Sequence, residues 1–236
     1  MVKADFHVHT VLSPCGDIEM TPAFIISRAK ECGLSIVGIT DHNSTLEAVE
    51  VKKSGDLNGV FILTGAEVTT SEEIHLLVYV DGNKNLKLLQ DYLERKIIKI
   101  KNRPEFFGYQ LVVDEFENVL QEVDYLLINA LSDGITQVEQ FVHSLGGIVI
   151  PAHINKNSNS LLSQLGFIPS DSAFDALEVI KTDEMVLFNG IETNTSGFRT
   201  IVSSDAHYRE SFGEVFTLLD IEGTITFEKI KLALYE

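Results

Sequence analysis

The chain has 236 residues, 44% apolar and 22% charged, which suits one large domain or one domain with an inserted subdomain. Its two cysteines, Cys15 and Cys32, build no disulfide framework, so a reducing, cytoplasmic setting is expected, and neither a signal-peptide apolar segment nor a membrane-length run of about 18 apolar residues is visible. The formal charge of −17 repels nucleic-acid phosphate and no basic patch with interleaved aromatics is read to offset it, so long DNA or RNA and membranes are not expected as partners.

In chain order, "VKADFHV" is strand-like. "TPAFIISRAKECG" predicts a helix with Thr21 as N-cap, Pro22 at the first helical position and Gly33 at the end. "LSIVGIT" reads as a buried strand, "STLEAVEVKKSG" as a helix, and "GVFILTGAEVTT" and "EIHLLVYV" as strands. A long helical stretch follows in "NKNLKLLQDYLERKIIKIKN", stopped by Pro104. "DEFENVLQEV" looks helical, and "DYLLINAL" fits helix or strand. "ITQVEQFVHSLGG" is an amphipathic helix with Ile135, Val138, Phe141, Val142 and Leu145 on one side. "IVIPAHI", "FDALEVI", "RTIVSSDAH" and "EVFTLLDI" are further strands, and "TFEKIKLALY" a closing helix. Alternating strands and helices predict an α/β fold with a mostly parallel sheet, chemistry at the C-terminal strand ends, and a helical insertion near residues 83–134.

Six of the seven histidines fall in or just after strand-like runs: His7, His9, His42, His75, His153 and His207. Residues two apart on a strand share a face about 7 Å apart, so His7 and His9 can converge on one ion. Asp5 has the same parity and is expected to orient one of their rings. Glu67 and Asp205 also end apolar runs, where an ionised carboxylate needs a cation or hydrogen bonds. Imidazoles mixed with carboxylates suit zinc, manganese or iron better than magnesium or calcium.

In this order, "DFHVHT", "GITDHN", "GAEVTT", "IPAHI" and "SSDAH" resemble the PHP family, the polymerase-and-histidinol-phosphatase domain, over residues 4–208. The resemblance implies a distorted (β/α)7 barrel, up to three divalent ions, and hydrolysis of a small phosphorylated metabolite or nucleotide by metal-activated hydroxide. It implies a first ion on His7, His9, Glu67 and Asp205. Glu67 would bridge to a second ion on His75 and His153, and His42 and His207 would hold a third. The third needs one more ligand. Asp17 is preferred over Cys15, because a hard carboxylate suits phosphate chemistry and the Pro14–Gly16 turn would bring it back over the strand end. Glu67 and Asp205 are the expected catalytic carboxylates, with Asp41 orienting a ligand or water. Asn43, Lys156 and Arg209 are the expected substrate contacts, although Asn155-Lys156 stands where the family pattern leads one to expect Asp-Arg. His143 falls outside the motifs and reads as a surface residue. The competing functions are an amide or cyclic-substrate hydrolase and a regulatory metal-binding domain without turnover.

Overall fold

In the computed structural model, which describes residues 1–180 and 186–235, the buried apolar runs become strands. β1 (Val2–Val8), β2 (Ile36–Ile39) and β3 (Phe61–Thr69) lie side by side in parallel, joined through α1 (Pro22–Cys32) and α2 (Leu46–Asn58). α1 is bounded as its sequence predicts: the Thr21 hydroxyl accepts the Phe24 N–H, and Gly33 closes the helix in the left-handed conformation. Next come β4 (His75–Tyr79), α3 (Gly82–Lys96), the single turn α4 (Pro104–Phe107), β5 (Leu111–Val113), β6 (Val119–Glu122), α5 (Ile135–Ser144) and β7 (Ile148–Pro151). The rest is α6 (Leu161–Gln164), β8 (Leu177–Glu178), β9 (Val186–Phe188), β10 (Ile191–Thr193), β11 (Thr200–Ile201), β12 (Thr217–Leu219) and α7 (Phe227–Ala233).

The main sheet is a curled half-barrel of six strands in the order β12-β1-β2-β3-β4-β7. The expectation of a mostly parallel sheet is corrected: β4 runs antiparallel to both β3 and β7, and β12 antiparallel to β1. The Thr70–Ile74 turn between β3 and β4 is too short for the crossover that a parallel pair requires. Among the described residues a full (β/α)7 barrel of paired strands is not seen either: β8 and β11 make a separate two-stranded parallel ladder. Isolated hydrogen bonds cross the gaps, from Asp175 N–H to the Val149 carbonyl at 2.9 Å and from Ala206 N–H to the His7 carbonyl at 3.2 Å.

The stretch expected to be a helical insertion is helical only in α3 and the α4 turn. Ile97, Ile98 and Ile100 are β-branched and lead into an X-Pro step, so the chain runs extended from Ile97, bridging Leu131 and, at Lys101, Tyr125. "DEFENVLQEV" is half of the β5–β6 hairpin instead of a helix. The Asp114 carboxylate accepts the Phe116 and Asn118 N–H groups, and Glu117 takes a positive φ of 65°, a turn that outcompetes the helix.

Tyr79 fills the sheet interior, fully buried, with its hydroxyl on the Phe6 carbonyl. Gly38 and Gly65 make room for it: a Cβ on Gly38 would lie 2.3 Å from the Phe6 oxygen, and one on Gly65 2.6 Å from the Tyr79 ring. This core holds the strands in the register that sets the residues at their ends.

Candidate metal centre

Six strand-end histidines meet at one end of the sheet. His7 and His9 close β1, His42 follows β2, Glu67 lies near the end of β3, and His153 follows β7. His75 is the first residue of β4, but β4 runs backwards, so its start falls at the same end. Asp205 and His207 arrive after β11, beside β1 through the Val8–Ala206 bridge. Asn43, His153 and Asp205 all have positive φ, 45°, 31° and 49°, in the region that Asn, Asp and His tolerate best.

Glu67, 1% exposed, is the hub. Its Oε1 lies 2.8 Å from His75 Nδ1, 3.2 Å from His153 Nε2 and 3.4 Å from His7 Nε2. Its Oε2 lies 3.1 Å from His42 Nδ1 and 3.4 Å from His9 Nε2. Asp205 Oδ1 stands 3.3 Å from His7 Nε2 and 3.6 Å from His9 Nε2, and those two nitrogens are 3.1 Å apart. Two ligands on a tetrahedral ion at about 2.0–2.1 Å stand about 3.3 Å from one another. The donor set therefore fits a divalent ion in spacing as well as in chemistry. Buried His42 Nδ1, although 3.1 Å from Glu67 Oε2, lies outside hydrogen-bonding geometry to it and has no other partner among the described residues, which leaves that nitrogen available to an ion. Among the described residues, three groups have donor atoms within 4.8 Å of one another: His7, His9 and Glu67; His42, Glu67 and His75; and His9, His42 and His207.

Behind these side chains stand the groups that orient them. His7 Nδ1 meets Glu178 Oε2 at 3.0 Å, which turns Nε2 towards the cluster, and the same oxygen accepts the His153 N–H at 2.8 Å. The expected orienting residue, Asp5, is corrected here: its Oδ1 accepts the N–H groups of His7 and Ser204 and reaches no ring. Asp41 stands behind His9. Its Oδ1 accepts the Ser13 hydroxyl at 2.6 Å, and Ser13 Oγ stands 2.9 Å from His9 Nδ1.

Burial disfavours charge throughout the cluster, yet Glu67 is held well below the usual carboxylate range, because His75, His7 and His42 and a hydrogen bond from His153 outweigh it. His7 is raised well above its ordinary value against its burial by Glu178, Asp205 and Glu67. His42 is pushed well below by burial, and His207 is lowered to about 4 by burial and the neighbouring His9. His42 and His207 thus present neutral imidazole, the form that binds metal.

Of the expected substrate contacts, only Lys156 reaches the cluster, with Nζ 3.1 Å from Asp205 Oδ2. Arg209 pairs with Glu19 at 3.0 Å and stacks over Phe24, away from it. The Asn43 amide is spent on the backbone, donating to the Leu127 and Asn129 carbonyls and accepting the Thr69 N–H. Asp17 joins none of the three donor groups: its Oδ1 accepts the Glu19 N–H at 2.8 Å. Cys15, on the same turn, has its thiol pushed up to about 12 by burial and the fields of Glu67, Asp41 and Asp205. His143 is not a free surface residue, since its Nε2 meets the buried Asp175 at 3.0 Å. Glu178 and Ser13 were missed. Glu178 was legible, being the carboxylate inside the apolar run "ALEVI", by the argument that singled out Glu67.

A model of the PHP domain matches residues 5–152, more than half of the chain. The chain belongs to the PHP domain family. PHP domains bind divalent metals and include phosphoesterases and nucleases among their metal-dependent hydrolases. An uncharacterized protein of Methanocaldococcus jannaschii is 38% identical over 79 residues, covering 30% of this chain and 46% of that protein. The lesion-specific endonuclease Q of Pyrococcus furiosus superposes with a TM-score of 0.73 at 18% identity, over 99% of this PHP chain and 56% of the endonuclease. The chain thus spans about half the length of each. A candidate metal-dependent phosphoesterase of Bifidobacterium adolescentis superposes at 0.54 and 17% identity, over 98% of this chain and 95% of the other. The expectation that charge excludes long nucleic acid is overturned: the same fold is seen in endonuclease Q bound to a 27-mer DNA duplex. Net charge is a whole-surface sum and does not decide what one face binds. Among the described residues, no helix is long and apolar enough to cross a membrane.

Proposed function

We propose that this PHP domain is a metal-dependent phosphoesterase holding two or three divalent ions. Its substrates would be phosphate esters, phosphodiesters of nucleic acid included, the class on which endonuclease Q acts. The observation that carries the reading is Glu67, buried among five imidazoles with Asp205 alongside. When bound, divalent ions supply charge neutralisation at phosphoryl oxygens and an acidified water. His7, His9, Glu67 and Asp205 would hold one ion, His75 and His153 with Glu67 a second, and His42 and His207 would hold a third.

The protein's own part is positioning. Glu178 fixes the His7 ring, and Asp41 fixes His9 through Ser13. Lys156 places a cation on the open side of Asp205, where it would meet a substrate phosphate as a point charge rather than as a fork. No side-chain nucleophile is needed for a reaction governed by position and charge. The test loads the purified chain with zinc, manganese or iron and offers p-nitrophenyl phosphate, bis(p-nitrophenyl) phosphate, oligonucleotides and lactams. Phosphoester turnover lost in Glu67→Gln is expected. Lactam turnover alone, or a tight metal complex inert to every compound, defeats the proposal.

A further inference from the structure

The segment "RKIIKIKNR" gathers Arg95, Lys96, Lys99, Lys101 and Arg103, five of the chain's 18 Lys and Arg residues, in a protein of net charge −17. Arg95, Lys99, Lys101 and Arg103 are exposed. The segment runs extended after α3, so Lys99, Lys101 and Arg103, two residues apart, share one side. Lys96 pairs with Asp133 and Arg103 with the exposed Glu105, whereas Arg95 and Lys101 form no salt bridge among the described residues. Exposed aromatics follow at once: Phe106 at 67%, Phe107 at 40% and Tyr109 at 60%. The Arg103 guanidinium already lies 4.3 Å from the Phe106 ring centre, and Lys99 Nζ lies 4.6 Å from that of Tyr125.

This strip borders the metal cluster. It pairs with residues 125–131 through the Ile97–Leu131 and Lys101–Tyr125 bridges. That partner segment is pinned to the centre by Leu131 N–H on the Thr69 carbonyl at 2.8 Å and by Asn43 on the Leu127 and Asn129 carbonyls. Thr69 lies two residues beyond Glu67, and Asn43 is next to His42. At the far end Gly108 packs on the loop after His9, where an added Cβ would stand 3.2 Å from the Pro14 oxygen. Of the carboxylates in residues 83–134, Glu94, Glu105 and Asp124 lie beside the strip, Asp133 pairs with Lys96 and Asp91 with Lys87, and Asp114, Glu115, Glu117 and Glu122 sit on the β5–β6 hairpin, whose Glu117 accepts the Thr21 hydroxyl.

We propose that Arg95–Tyr109 is a docking rim for a nucleic-acid strand, with phosphates on Lys99, Lys101 and Arg103 and an unstacked base on Phe106, Phe107 or Tyr109, leading a phosphodiester to the metal cluster. The delivery step rests on the phosphoesterase reading above; binding to the rim does not. Alternating cations track a phosphate backbone, and exposed rings stack bases of any sequence. A bilayer would meet the same cations and rings, but only a polymer whose phosphates repeat along its length links this strip to a buried centre one segment away.

The test measures binding of a fluorescent single-stranded phosphorothioate oligonucleotide to the metal-loaded chain across salt concentrations. The triple variant Lys99→Glu, Lys101→Glu, Arg103→Glu is expected to bind about tenfold or more weakly, with a salt slope shallower by about 2, from ~0.7 per phosphate. Phe107→Ala combined with Tyr109→Ala should weaken binding severalfold without changing the slope. Both variants should hydrolyse bis(p-nitrophenyl) phosphate as the wild type does. A Lys→Gln, Arg→Gln triple serves in case charge reversal impairs folding, with circular dichroism as the check. Equal affinity of wild type and triple variants overturns the rim, as does wild-type binding to phosphatidylserine vesicles without oligonucleotide binding. Strip-dependent binding by a chain inert to every phosphoester upholds the rim and removes the phosphoesterase reading.

Discussion

Glu67 stands within 3.4 Å of five imidazole nitrogens. A carboxylate shared in this way links every part of the cluster, so Glu67→Ala is expected to strip at least one ion per chain, read by elemental analysis, and to abolish turnover. His143→Ala is expected to keep its ions and its turnover. It should cost about 1–2 kcal/mol in urea unfolding, because buried Asp175 loses one of its donors and keeps those from Val149 and Tyr235. Glu178→Gln keeps the shape behind His7 but removes the charge, and metal affinity should fall about 10–100-fold in a chelator competition. Away from the centre, fully buried Glu47 is pushed up to about 9 by burial, with its Oε2 on the Val113 N–H and its Oε1 unpartnered. The folded state holds this proton more tightly than the unfolded chain does, so stability is highest below the ordinary value of 4.5 and falls as pH rises towards 9. The loss between pH 4.5 and 7 is on the order of 3 kcal/mol. Glu47→Gln, which cannot ionise, should match the wild type near pH 4.5 and exceed it increasingly up to pH 9 in thermal melts.

At the scale of elements, the loop between β1 and α1 decides which of its side chains face the cluster. It folds back on itself through Ser13 N–H to Thr10, Gly16 N–H to Ser13 and Met20 N–H to Asp17, and Asp17 N–H ties it to the His207 carbonyl. Gly16 is required there, since a Cβ would sit 2.3 Å from the Thr10 oxygen. This folding sends Ser13 inward to Asp41 and leaves the Asp17 carboxylate on the Glu19 N–H. Asp17→Ala is therefore expected to keep the full metal complement by elemental analysis and to cost about 0.5–1.5 kcal/mol of stability. Loss of one ion would restore Asp17 as a ligand. The hairpin teaches the same lesson: its apolar spacing fits a helix, and the Asp114 turn, a local hydrogen-bond pattern that periodicity does not register, decides for strands.

For the whole molecule, the sequence by itself determined the α/β class, the first two strand–helix units with the strand that follows them, and the gathering of histidines and carboxylates at strand ends. Alternation within a strand and burial along apolar runs are local properties, written residue by residue. The five motifs from "DFHVHT" to "SSDAH" fixed the family in the same way. Only the tertiary structure decided the reversed direction of β4, which brings His75 to the cluster from the start of its strand, and the choice of Glu178 over Asp5 behind His7. The second depends on a contact between segments 171 residues apart, which no local pattern encodes, whereas the first follows from the short Thr70–Ile74 turn, whose length a strand-by-strand reading does not use. The net charge of −17 misled because it sums the surface without saying where charge lies: Arg95, Lys99, Lys101 and Arg103 are exposed within one short segment.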